Sequence, residues 1–240
     1  MKKLVKGLFN AVGLDVKPRQ SPGTTLTMAG ALERSAGRGV KIGTVIDVGA
    51  SDGSWTKECM KHFPDSKYLL IEAQEPHRKA LDAFCNTHSN AEYVLAAAGK
   101  AEGKIYFDNS DLFGGLASDV PLPGPSIEVP VVSIDKELSN RNLKGPYCVK
   151  LDTHGFEIPI LEGAAEALRQ ASLVIIETYN FRLTPASLRY FEMCAYLERL
   201  GFLPIEMVDV MRRDRDGSLW QMDTFFIPAN SKEFQFNSFD

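Results

Sequence analysis

The chain has little cysteine and arranges it in no pattern. Cys59, Cys85, Cys148 and Cys194 are its four, widely spaced and without a C-x-x-C pair. That spacing speaks against a disulfide framework or a metal centre and leads us to expect buried, reduced thiols in a cytoplasmic compartment, with no metal. A basic excess is also missing. Lys and Arg total 27 against 31 Asp and Glu, a net charge of −4, so the electrostatic footprint of a general nucleic-acid binder is absent. No run is long and apolar enough to span a membrane, and no internal repeat is present. What remains is an ordinary globular balance, 44% apolar and 24% charged over 240 residues. This suits one α/β domain with an extra N-terminal piece.

That piece begins MKKLVKGLFNAVGLDVK. It lacks the apolar centre of a secretion signal, being interrupted by Lys6, Gly7 and Asn10. Leu4, Val5, Leu8 and Val12 can share one face of a short helix, with Lys2, Lys3 and Lys6 elsewhere. Residues 1–17 could therefore dock weakly on an anionic membrane surface, or pack on the domain. The sequence divides into a helical extension over 1–37, a main domain over 38–230 and a polar tail over 231–240.

Residues 17–24 read as a linker, and 26–38 as a helix with Leu26, Ala29 and Leu32 inward. Strands are expected at Thr44–Val48, Lys67–Ala73 and Ala91–Ala97, alternating with helices near 54–62 and 76–88. Gly103–Asp108 and Ser126–Ser133 read as an inserted strand pair. The Asn109–Pro125 connection between them is long enough for a lid or substrate loop. Tyr147–Asp152 is a fourth main strand, Glu157–Gln170 a helix, Leu173–Thr178 a fifth strand. Pro185–Leu200 is an amphipathic helix with Leu188, Phe191, Met193, Ala195 and Leu197 as its packed face. Phe202–Val210 and Leu219–Ile227 flank Asp216-Gly217, a hairpin signal.

Three stretches carry chemistry. In TVIDVGASDGS (44–54) a buried strand with Asp47 breaks into Gly49-Ala50-Ser51-Asp52-Gly53 before a helix. Glycines let the backbone turn and let a ligand approach, and the helix start presents unpaired N–H groups. Glu72 ends the next strand, where a carboxylate can accept hydrogen bonds from both ribose hydroxyls of an adenosine. Those features suit either NAD or S-adenosylmethionine. The spacing lacks the third glycine of the dinucleotide fingerprint, which favours the second. The third stretch, Lys150-Leu151-Asp152-Thr153-His154-Gly155-Phe156-Glu157, places an Asp, a His and a Glu within six residues at a strand-to-helix turn. Reacting groups belong at such strand ends.

The runs IDVGASDG (46–53), IEA (71–73), VSID (132–135), VKLDTHGFEIPILEGA (149–164), IIET (175–178) and QMDTFFI (221–227) resemble the FkbM-type methyltransferases over about residues 42–228. Ser51 stands where that family most often has Asn, and His154 where many members carry Glu or Gln. The resemblance implies a Rossmann-like class I methyltransferase fold: a mostly parallel seven-stranded sheet closed by a C-terminal antiparallel hairpin, with a small hairpin insertion. It implies S-adenosylmethionine as donor, S-adenosylhomocysteine as product, and an acceptor hydroxyl on a sugar, glycan or glycosylated natural product. Under that reading Asp47, Gly49, Ala50, Ser51 and Gly53 hold the methionine end. Glu72 and Ala73 hold the ribose, and Ala97 and Ala98 leave room for adenine. His154 is the candidate base because imidazole titrates near neutral pH. Asp152 orients it or binds the methionine ammonium, and Glu177 meets the acceptor. An NAD-dependent oxidoreductase and a binding domain without turnover are the competing readings.

Overall fold

The computed structural model describes residues 26–122 and 124–238. The membrane-docking expectation for residues 1–17 and the 17–24 linker lie outside the described residues. Among the described residues no helix is long and apolar enough to cross a membrane.

Chain order and burial build one central sheet. Strands β1 (Thr44–Val48), β2 (Lys67–Glu72) and β3 (Ala91–Leu95) alternate with helices α2 (Ser54–Met60) and α3 (Arg78–Thr87), helix α1 (Met28–Gly37) preceding them. All of β1 and nearly all of β2 are buried, as expected of parallel strands covered on both faces. An insertion follows: β4 (Ala97–Ala98), β5 (Gly103–Asp108), β6 (Leu116–Ser118) and β7 (Ile127–Val132). The main path resumes through α4 (Ile134–Asn140), β8 (Tyr147–Leu151), α5 (Glu157–Glu162), α6 (Ala165–Leu168) and β9 (Ala171–Tyr179). It ends with α7 (Tyr190–Arg199), β10 (Phe202–Arg212) and β11 (Leu219–Pro228).

The strand order is β10-β11-β9-β8-β1-β2-β3. The five from β9 to β3 run parallel, and β11 pairs antiparallel with both β9 and β10. The chain winds outward from β1 to β3, then crosses back to β8 on the other side of β1. The β1–β8 boundary is therefore the switch point, and ligands of such sheets bind outside the strand ends there.

Where the observed elements differ from expectation, tertiary contacts are the reason. The insertion is a four-stranded sheet, ordered β4-β7-β5-β6, rather than a hairpin. Ala97 and Ala98 leave the main sheet to pair with Val131 and Val132. The expected helix 157–170 is two, broken at Gly163, where a side chain would stand 2.0 Å from the Gly99 carbonyl oxygen. Leu26 is exposed and Ala29 half-buried, while α1 buries Leu32 as expected, together with Gly30, Ala31 and Ser35. Ala31 and Leu32 share a core with Val45, Tyr68 and Phe225, so α1 packs as part of the main domain. Arg34 and Arg38 both bond Glu206 of β10, at 2.8–2.9 Å, and Asp209 accepts from the Met28 N–H at 2.8 Å. On α7, Met193 and Leu197 are buried while Phe191 and Ala195 face out. The cysteines are free thiols, Cys59 and Cys148 fully buried.

Candidate active site

The switch point opens into a cavity of about 440 Å³, within the range of small-molecule sites. Its floor is the glycine turn. Gly49 sits at φ +75, and a Cβ there would lie 2.1 Å from the Asp152 carbonyl oxygen. The Asp152 N–H in turn bonds the Val48 carbonyl at 3.0 Å. Only glycine lets the ends of β1 and β8 meet this closely, which brings the turn and Asp152 to one wall. Ser51 adopts φ +51, and its hydroxyl is buried with no hydrogen-bond partner among the described residues.

Glu72, at the end of β2, is buried. Its two oxygens accept from the Ser51 N–H at 2.7 Å and the Gln74 N–H at 2.8 Å. Each oxygen has a second lone pair, so the carboxylate can shape the turn and still receive a diol. Glu72, Ala73, Ala97 and Ala98 all line the cavity, together with Phe107 and Phe156. Small side chains between aromatic ones make a slot for a flat ring. This donor set, a carboxylate beside an apolar slot, fits an adenosine.

Part of the 109–125 connection closes over the cavity. Leu112, Phe113, Gly115 and Ala117 line it. Gln74 Nε2 donates to the carbonyls of Asp111 and Leu112 at 3.0 and 2.9 Å, and His77 Nε2 lies 3.0 Å from the Leu112 carbonyl. Nothing in the local sequence marks Gln74 and His77 as anchors of that strap. Their signal was only their place after a strand-end carboxylate.

At the opposite end Asp152, His154 and Glu177 converge, one oxygen or ring nitrogen of each lying within 4.8 Å of the others. His154 Nε2 lies 3.5 Å from Asp152 Oδ1 and 3.4 Å from Glu177 Oε2. His154 Nδ1 faces the Gly115 carbonyl at 3.3 Å; in the tautomer that donates there, Nε2 is the nitrogen that can accept a proton. Glu177 accepts from the Tyr179 hydroxyl and the Gln221 amide. Asp152 Oδ2 faces Lys150 Nζ at 3.2 Å, so each carboxyl oxygen of Asp152 and Glu177 faces a protein group, an arrangement that can hold and pass a proton.

Its electrostatics separate the two carboxylates. Burial, then the neighbouring Asp152, pushes Glu177 up to about 8. Burial also works against ionisation of Asp152, but the Lys150 ammonium and His154 outweigh it and hold that carboxyl below its ordinary range. Asp223, opposite Glu177 in the β9–β11 register, is pushed up to about 7 by burial and by Asp152. Carboxyls that hold their protons more tightly when folded stabilise the fold at low pH. That stability is lost as pH rises from the ordinary carboxylate value through the folded one. Unfolding midpoints in urea should therefore fall between about pH 5 and 8, and Glu177→Gln should flatten the fall. An unchanged slope in the variant would show that Glu177 is ionised throughout.

Three expected cofactor residues stay off the cavity wall. Asp47 is 1% exposed, its Oδ2 taking the Thr56 hydroxyl at 2.7 Å and its Oδ1 lying 3.2 Å from Lys150 Nζ. Ala50 is buried in the core on the far face of the sheet from Val48. Gly53 caps α2 in the left-handed region, packed against Phe84. Gly49, Ser51, Glu72, Ala73, Ala97, Ala98, Asp152, His154 and Glu177 all line the cavity. Lys150, which the sequence reading passed over, joins Asp47 to Asp152 at 3.2 Å on each side.

A family profile described as "Methyltransferase FkbM domain" matches residues 47–204. No curated protein sequence matches. Among solved structures, the chain is similar to a methyltransferase FkbM from Methylobacillus flagellatus KT. The TM-score is 0.52 at 16% identity, over 76% of this chain and 43% of that one. The chain thus spans less than half the length of that structure. More distant are a SAM dependent methyltransferase from Aquifex aeolicus and a 1,6-didemethyltoxoflavin-N1-methyltransferase from Burkholderia thailandensis, solved with bound S-adenosylhomocysteine. The first gives a TM-score of 0.45 at 15% identity over 87% of this chain and 94% of that one. The second gives 0.44 at 11% over 95% and 86%. The FkbM likeness accords with the expected fold class, a Rossmann-like α/β sheet closed by an antiparallel hairpin. With the profile covering more than half its length, this chain belongs to the FkbM methyltransferase family.

Proposed function

We propose that the protein transfers a methyl group from S-adenosylmethionine to a hydroxyl oxygen of a sugar, glycan or glycosylated natural product. The observation that carries this reading is the division of one cavity into two chemistries. One end offers a strand-end carboxylate and a slot of small residues suited to adenosine. The other offers an imidazole nitrogen free to accept a proton, between two carboxylates.

The donor supplies an electrophilic methyl carbon, so the difficult bond chemistry lies in the cofactor. Glu72 and the slot formed by Ala97 and Ala98 would hold its nucleoside, and Asp152 with the Gly49–Ser51 backbone its methionine end. What is left to the chain is to hold the acceptor oxygen in line and take its proton. His154 takes that proton at Nε2, and Asp152, 3.5 Å away and held ionised by Lys150, offsets the charge that the ring gains, with Glu177 on the other side of the same nitrogen at 3.4 Å. Beyond them Tyr179, Trp220 and Phe181 form a run of ring contacts, capped by Arg213 stacked 4.3 Å from Phe181. This is a wall against which a ring-shaped acceptor can lie.

The test is incubation with methyl-labelled S-adenosylmethionine and a panel of sugars, oligosaccharides and glycosylated metabolites, read by mass spectrometry. Label in a hydroxyl-bearing product supports the reading. Label only on nitrogen or carbon acceptors would replace it. On an accepted substrate, His154→Ala should lower turnover by about a hundredfold or more while leaving S-adenosylhomocysteine binding intact. Near-wild-type turnover would remove His154 from the proton's path.

A further inference from the structure

A lysine inside a parallel sheet is costly, because its ammonium must be taken out of water. Lys150 is 4% exposed at its side chain. It stands directly across from Asp47 in the β1–β8 register, 5.4 Å from the centre of the Trp55 ring. Burial alone would push its proton off, yet Asp47 and Asp152 hold it above its ordinary value. Asp47 is clamped by Lys150 on one oxygen and Thr56 on the other and does not reach the cavity. Asp152, with its side chain 36% exposed, does. One end of the bridge is anchored in the core and the other stands on the cavity wall.

Were stability the whole reason, a well-packed apolar pair would serve the sheet as well as the Asp47–Lys150 pair. That substitution would leave Asp152 beside the carboxyl groups of Glu177 of β9 and Asp223 of β11 without the ammonium that offsets them. His154, on the loop after β8, lies on its far side. Lys150 is the one ammonium or guanidinium against Asp152 among the described residues.

We propose that Lys150 is a positioning residue: anchored by Asp47, it fixes the aim and the negative charge of Asp152 toward the methionine ammonium of the methyl donor. The inference rests on the reading of the cavity as an S-adenosylmethionine site. It assigns the Asp47–Lys150 pair a part in the reaction although neither touches the cavity.

The experiment is calorimetric titration of the full chain with S-adenosylhomocysteine at pH 5.5 and pH 8.0. Asp47→Asn/Lys150→Met removes the buried pair together, so no lone charge is left in the sheet. If it does not fold, Asp47→Asn/Lys150→Gln keeps an amide pair there. Wild type, in which Glu177 and Asp223 titrate between the two pH values, sets the baseline at each. The double variant should bind as wild type at pH 8.0 and about tenfold more weakly at pH 5.5, where Asp152 gains a proton. Lys150→Arg, which keeps the cation, should follow the wild-type profile at both pH values. Asp152→Asn should weaken binding about tenfold or more at both pH values. A double variant matching wild type, or weakened equally at both pH values, overturns the proposal. If wild type binds no S-adenosylhomocysteine, it is the donor reading that fails. Carbon-13 titration of the Asp152 carboxyl then decides about Lys150 by itself: equal protonation in wild type and double variant overturns its role, and a proton gained only in the variant upholds its hold on Asp152.

Discussion

Gly49→Ala is expected to cost the fold about 4 kcal/mol or more, lowering the melting temperature by roughly 8–16 °C in a chain of this size. Two effects add. At φ +75 any side chain is strained, and the new Cβ would stand 2.1 Å from the Asp152 carbonyl oxygen. That oxygen is backbone on a buried strand end and cannot swing aside. Relief requires β1 and β8 to part, which opens the switch point itself. Gly201→Ala separates the two effects, since Gly201 has φ +87 and open space around it. It should cost only about 1 kcal/mol. Equal losses for the two variants, followed by thermal unfolding, would show that the collision at Gly49 is relaxed at little cost.

Glu72→Ala should weaken S-adenosylhomocysteine binding by about a hundredfold, because two hydrogen bonds to a charged acceptor are lost. It should also lower stability by about 2–4 kcal/mol, since the N–H groups of Ser51 and Gln74 lose their acceptor. Glu72→Gln keeps one acceptor oxygen and should recover part of the stability but little of the affinity. Calorimetry and urea unfolding on the same samples separate the two roles. A Glu72→Ala protein that binds as wild type would place the ribose elsewhere.

The residues explain what was legible from sequence and what was not. Strand β1 and the inserted β5 have the bounds their apolar patterns imply, Thr44–Val48 and Gly103–Asp108, because burial on the sheet writes itself into local sequence. The C-terminal hairpin follows from Asp216-Gly217, and the switch point from a strand that breaks into glycine. Strand β6, only Leu-Ala-Ser, was hidden because it exists by pairing with β5, not by its own propensity. Helix α4 was missed although Ile134 and Leu138, one turn apart, are both buried. The break at Gly163 depends on Gly99, distant in sequence. The same limit applies to the site. His154, Asp152 and Glu177 were readable because they end strands or sit in turns. Lys150 was not, because its meaning lies in the register that sets it against Asp47. For Asp47 the complementary limit holds: its strand position is visible in the sequence, but not that its Oδ2 takes the Thr56 hydroxyl and its Oδ1 faces Lys150 inside the sheet.

The claim on which the rest depends is that this cavity holds an adenosyl methyl donor. Calorimetric titration of the wild-type chain with S-adenosylhomocysteine, with NAD as the comparison ligand, tests it most directly. The account predicts one site per chain for S-adenosylhomocysteine and none for NAD. No heat of binding with S-adenosylhomocysteine, or binding of NAD in its place, would contradict it.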